Sequence, residues 1–234
     1  MSGGKVLGLI PAKGGSTRLA RKNVAPLGGK PLIQWAAEAA RESGVIDRLI
    51  LSTEDEPLAE TAAALGIEVP FLRPAELATD PAGVVDVALH ALGTLREGGE
   101  EYETLVILLP TCPFRTAADV GDAVRLFGDH RAKFLMSVNE FPHTPFAALS
   151  LSDDAILTPY FPEHLGKKSQ EMPKAYRPNG AIHVLDIPSF EEARTYFAQP
   201  LVGYVMPIER SVDIDTADDL AMAEALLAAR KGRP

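Results

Sequence analysis

The chain has 234 residues and a formal net charge of −9, with hydrophobic and charged fractions ordinary for a globular domain. That acidity cannot supply the broad basic surface that holds nucleic acid, and no stretch has the apolar length of a signal peptide or a membrane span. Cys112 is the single cysteine, which excludes an intrachain disulfide and a cysteine-rich metal site. One cytoplasmic domain over residues 1–234 is expected, with no membrane or nucleic-acid partner.

In chain order, the apolar run 5–12 reads as a strand. It runs into Lys13-Gly14-Gly15-Ser16, followed at once by Arg18, Arg21, Lys22 and Asn23. Glycines bring backbone N–H groups close to a polyanion, and cations neutralise charge that amides cannot, so phosphate of a small anionic ligand is expected here. The spelling matches neither a P-loop nor a dinucleotide fingerprint; the position after the first strand is what lifts it above a surface turn. Helix is expected over 31–43, strand over 49–53, helix over 57–65 and a short strand over 67–71. Residues 83–95 read as helix, and the nearly continuous apolar run 104–109 as a strand buried on both faces. Helix over 117–127 and strand over 134–138 continue the rhythm. It predicts an α/β fold, a doubly wound and mostly parallel sheet with helices on both faces, and a ligand at the carboxyl ends of the strands.

Pro110-Thr111-Cys112-Pro113-Phe114-Arg115 leaves the buried strand as a rigid turn. Arg115 is a candidate anion contact, a surface ion pair being the alternative, and Cys112 reads as a packed side chain. Between Glu140 and Arg177 the rhythm breaks: repeated prolines exclude a long helix or central strand, while the many aromatics argue for a packed excursion. Arg177-Pro178-Asn179-Gly180 returns from it, a turn whose guanidinium fork suits a carboxylate or sugar. Strands over 180–185 and 201–206 flank a helix over 189–197, and helix 217–230 precedes a basic tail, 231–234. In Ser211-Val212-Asp213-Ile214-Asp215-Thr216 alternate residues point one way, so Asp213 and Asp215 present two carboxylates to one point, an arrangement that suits magnesium beside phosphates. Asp218 and Asp219 are read as charge at the start of the last helix. The five histidines show no metal-ligand spacing.

Together these elements resemble the acylneuraminate cytidylyltransferase family. The resemblance is carried, in order, by Ile10-Pro11-Ala12-Lys13-Gly14-Gly15-Ser16, Arg21-Lys22-Asn23, Gly29-Lys30-Pro31-Leu32, Ser52-Thr53, the segment from Arg73 to Ala78, Pro110-Thr111-Cys112-Pro113, Asn179-Gly180-Ala181-Ile182 and the segment from Ser211 to Thr216. It implies a Rossmann-like fold, a homodimer built by an insertion at 140–177, and magnesium-dependent transfer of CMP from CTP to a 2-keto-3-deoxy sugar acid. It assigns Ala12, Lys13, Gly14, Gly15, Ser16 and Arg18 to the triphosphate and Lys22 to the α-phosphate. It assigns Asn23 and Arg73 to cytosine, Thr79 and Asp80 to the nucleoside, Asp213 and Asp215 to magnesium, and Arg177 and Asn179 to the acidic acceptor, with Arg115 kept as a candidate substrate contact from its place after the buried strand. Lys13 stands where the family usually has Arg, and Ser16-Thr17-Arg18-Leu19 is similar to the related CMP-Kdo synthetases. Kdo or a phosphonate as acceptor, or a non-catalytic nucleotide-binding protein of this fold, are the alternatives.

Overall fold

Period-two alternation along the central strands sorts the core onto two faces of one sheet, as the computed structural model of residues 4–231 shows. Residues 232–234, most of the basic tail, lie outside the described residues. The elements in order are β1 (Val6–Pro11), β2 (Pro26–Leu27), β3 (Lys30–Pro31), α1 (Leu32–Glu42), β4 (Arg48–Ser52), α2 (Glu56–Ala64), α3 (Val84–Glu97) and β5 (Thr104–Ile107). They continue with α4 (Ala117–Asp129), β6 (Phe134–Glu140), β7 (Leu149–Leu151), β8 (Leu157–Pro159), β9 (Tyr176–Asp186), α5 (Ile187–Ala193), β10 (Leu201–Val205) and α6 (Ala217–Lys231). The main sheet has six strands in the order β10-β6-β9-β5-β1-β4, all parallel except β9, which runs against both of its neighbours.

Leu7 and Leu9 of β1, Ile50 of β4 and Leu105 and Ile107 of β5 pack against α3 and α5. The intervening Ile10, Leu51 and Val106 turn to the other face, where α1, α2 and α4 cover them with Ile33, Ala36, Leu58 and Val120. Both faces are therefore dry, which is why these strands read as continuous apolar runs rather than as alternating ones. Helix starts follow local chemistry: Asp55 accepts from the Leu58 N–H at 2.7 Å to open α2, and Thr116 with Asp119 forms a capping box at α4.

Three expectations change. The helix expected over 189–197 spans Ile187–Ala193 and ends where Arg194 takes φ +49°. Residues 67–71 form no strand; isolated bridges join Ile50 to Glu68 and Thr53 to Leu72, and Pro70 between them has no N–H with which to continue a ladder. Asn179-Gly180 is not a turn but lies inside β9, opposite the register shift between Met136 and Val138. There Gly180 takes φ +70°, and an added Cβ would lie 3.2 Å from a Leu109 methyl. The excursion from the sheet contains the β7/β8 hairpin and short 3-10 turns, with Phe146 edge-on to Phe161 at 5.3 Å.

Candidate active site

The carboxyl ends of β1, β4 and β5 open on one side of the sheet, and the segment before α6 is tied to them. The Ile214 N–H donates to the Thr111 carbonyl at 2.8 Å, and the Ile214 side chain is wholly buried beside Leu27, Leu32, Phe114 and Ala223. Burial of the central residue turns its two neighbours the other way, so Asp213 and Asp215 both line a cleft of about 310 Å³. Lys13, Lys22, Asn23, Arg73, Asp80 and Thr111 share its wall.

Asp215 lies between two cations, with Lys22 Nζ 2.7 Å from one oxygen and Arg18 2.9 Å from the other. The hydrogen bond from Lys22 holds the Asp215 carboxyl below its ordinary range, against the opposing effect of burial. Asp213 shifts the other way: burial raises its pKa, and the neighbouring Asp215 charge adds to the rise. Asn23 is buried and donates to the Lys13 carbonyl at 2.8 Å, which shapes the first loop from within. Gly14 approaches α2 so closely that a Cβ would lie 2.3 Å from the Asp55 carboxylate, the reason a glycine stands there. Its N–H donates to Glu54 at 2.8 Å, and the other Glu54 oxygen accepts from Arg73 at 2.8 and 3.1 Å.

A second cleft, about 440 Å³ and mainly polar, is lined by Asn139, Arg177, Asn179, Gly180, Ser211, Val212 and Asp213. Asp213 is the residue common to both walls. Two adjoining clefts, one rich in cations and one holding an exposed arginine, meet at a carboxylate.

The family described as Cytidylyltransferase matches residues 7–93. The pseudaminic acid cytidylyltransferase of Campylobacter jejuni is 32% identical over 222 residues, covering 95% of this chain and 96% of that protein. The chain belongs to the acylneuraminate cytidylyltransferase family. It is accordingly a nucleotidyltransferase. The N-acylneuraminate cytidylyltransferase of Escherichia coli O18:K1:H7 is 31% identical over 94% of this chain and 51% of its own length. The solved CMP:2-keto-3-deoxy-manno-octonic acid synthetase complexed with CTP shares the fold, with a TM-score of 0.71 at 17% identity over 97% of this chain and 99% of that one.

Among the residues that the cytidylyltransferase resemblance singled out, Lys13, Lys22, Asn23, Arg73, Asp80, Asp213 and Asp215 converge on the first cleft. Arg18 joins them through Asp215. Gly15 and Ser16 lie in the same loop off the cleft wall, with open space where a Gly15 side chain would be. The amides of Ala12 and Gly14 are not free for phosphate: the Ala12 N–H donates to the Ser52 carbonyl at 3.0 Å, and Gly14 to Glu54. Thr79 is exposed off the wall, its hydroxyl donating to the Glu76 carbonyl.

Arg115 requires a correction. It is buried rather than aimed at a ligand, and its guanidinium donates to the carbonyls of Leu109 and Cys112, bracing the turn from inside. Burial pulls its pKa down to about 10. Asn179 is corrected in part. It lines the second cleft, yet its carbonyl accepts from Ser137 and from the Ala181 N–H, while its amide donates to Ser211 at 2.9 Å. Its side chain is spent on the protein. Cys112 is buried, and desolvation beside Asp213 pushes its thiol up to about 12, which removes it as a nucleophile. Sequence reading missed Glu54, whose only signal was its place just beyond the carboxyl end of β4.

Proposed function

We propose that this chain transfers CMP from CTP to the anomeric hydroxyl of a 2-keto-3-deoxy sugar acid of the nonulosonic class, releasing pyrophosphate. The observation that carries the reading is Asp213 on the shared wall of the two clefts. CTP belongs in the cation-rich cleft, its phosphates toward Lys13, Lys22 and Arg18 and its base toward Arg73 and Asn23. The acceptor belongs in the polar cleft, its carboxylate toward the exposed fork of Arg177.

The acceptor hydroxyl then attacks the α-phosphorus in line, an O–P bond forming as the bond to pyrophosphate breaks and the hydroxyl proton passing to solvent. Charge accumulates on the departing oxygens, where Lys22 and Lys13 neutralise it, so catalysis rests on positioning and electrostatic stabilisation. Asp213 and Asp215 fit magnesium: both are hard oxygen donors on one cleft wall, and Asp213, raised first by burial and further by the Asp215 charge, is a carboxylate that a bound cation would relieve. Bound there, magnesium would supply neutralisation of the triphosphate, and Lys22 and Arg18 would turn from Asp215 to phosphate oxygens. We further assign the enzyme to the cytoplasm and the exposed apolar hairpin of residues 140–177 to the interface of a homodimer.

Pyrophosphate release with CTP, magnesium and a panel of pseudaminic, legionaminic and N-acetylneuraminic acids, Kdo and phosphonates tests the reading. Release with a nonulosonic acid is expected. Release with Kdo or a phosphonate alone would reassign the acceptor, and CTP binding without release from any acceptor would make this a nucleotide-binding protein.

A further inference from the structure

Glu54 stands just beyond β4, off the cleft wall, and its two carboxylate oxygens hold two different segments that reach the cleft. One accepts the Gly14 N–H at 2.8 Å, holding the loop that follows β1. The other accepts Nε and Nη2 of Arg73 at 3.1 and 2.8 Å. The Arg73 side chain is only 3% exposed and that of Glu54 14%, so both charges have little contact with water. A third donor of Arg73, on Nη1, reaches the Ser52 carbonyl at 3.2 Å, and its backbone N–H donates to Thr53 at 2.9 Å. Of the five guanidinium N–H groups, two remain for the cleft that Arg73 lines.

A single carboxylate thus joins the loop that carries Lys13 to Arg73, both of which reach the cleft wall. We propose that Glu54 is a positioning residue that sets the spacing between the Gly14 loop and Arg73, and so couples recognition of the triphosphate to recognition of the base. The proposal rests on CTP occupying this cleft. Arg73 held at a set angle directs its two remaining donors at fixed points. A donor so held accepts cytosine, whose ring N3 is an acceptor, and rejects uracil, whose N3 carries a hydrogen. With Glu54 shortened or neutralised, Arg73 is no longer fixed relative to the loop, and both affinity and base choice suffer.

Glu54→Gln keeps the volume and one acceptor but leaves Arg73 without its counter-charge. Glu54→Asp keeps the counter-charge yet is one methylene too short to span both partners, and it carries the test should Glu54→Gln fail to fold. The dissociation constants of CTP and UTP are measured calorimetrically with magnesium and no acceptor, alongside kcat and KM in the full reaction. Each folded variant is expected to bind CTP about tenfold more weakly and to lose most of its preference for CTP over UTP, while kcat at saturating CTP changes by less than about threefold. Unaltered CTP affinity, or an equal loss for CTP and UTP, would overturn the role of Glu54. Absence of CTP binding by the wild-type protein would instead overturn the reading of the cleft, and the proposal with it.

Discussion

The ammonium of Lys22 donates to Oδ1 of Asp215 at 2.7 Å across 193 residues of chain. The pair is part-buried, and its worth to stability is small beside what it does for the site: it places a cation and a carboxylate at one point of the nucleotide cleft. Lys22→Ala and Asp215→Ala are expected to lower pyrophosphate release by about a hundredfold, the scale of losing one oriented electrostatic group. Thermal unfolding should be nearly unchanged in both. Release at the wild-type rate in either variant would remove that residue from the mechanism.

Asn179 separates two roles that one residue could play. Its carbonyl and amide join Ser137 of β6 to Ser211, two residues before Asp213, through bonds of 2.5 and 2.9 Å. Asn179→Ala takes one bond from each hydroxyl, leaving Ser211 the Pro207 carbonyl and Ser137 the Ile182 N–H, and removes the acceptor of the Ala181 N–H; it is expected to cost about 1–3 kcal/mol in urea unfolding. Unchanged stability with a raised acceptor KM would return Asn179 to direct contact with the sugar.

His183 makes stability depend on pH. It is buried within β9 against Tyr196, and burial, aided by the positive charge of Arg115, pushes its pKa down to about 4. The unfolded chain takes up this proton near the ordinary value of 6.5, the folded chain only near 4, so between them only the unfolded state gains it. Stability supplied by neutral His183 is complete above pH 6.5 and falls as the solution is acidified toward pH 4. The slope approaches about 1.4 kcal/mol per pH unit. Unfolding free energies measured across this range should show that slope in the wild-type protein and lose it in His183→Gln.

The excursion presents Leu151 at 67% and Leu165 at 69% exposure, with Tyr160 and Ile156 nearby in the chain. Apolar side chains gathered on one protruding segment suit a surface covered by a second copy. Sedimentation velocity should show a dimer for the wild-type chain and a monomer for Leu151→Asp/Leu165→Asp. A wild-type monomer would refute the dimer assignment.

Element types along β1, β4 and β5 were legible because a short apolar run buried on both faces is a local signal, and so was the facing of Asp213 and Asp215 about Ile214. Harder cases share one feature: a polar side chain whose partner comes from elsewhere. Arg115 and Arg177 both stand beside a proline-bearing segment. One is drawn under the turn to satisfy the Leu109 and Cys112 carbonyls, while the other stays exposed on a cleft. Nothing within a few residues of either distinguishes them.

The sequence by itself determined the α/β rhythm, the family and the excursion from the sheet. These follow from backbone sterics, side-chain period and ordered motifs, which act over short stretches of chain. Tertiary structure alone decided that Lys22 meets Asp215, that Glu54 takes the Gly14 amide and binds Arg73, and that Asn179 faces inward to two serines. The strand order brings those groups together, and the cost of leaving a buried polar group unpaired then selects among the partners within reach.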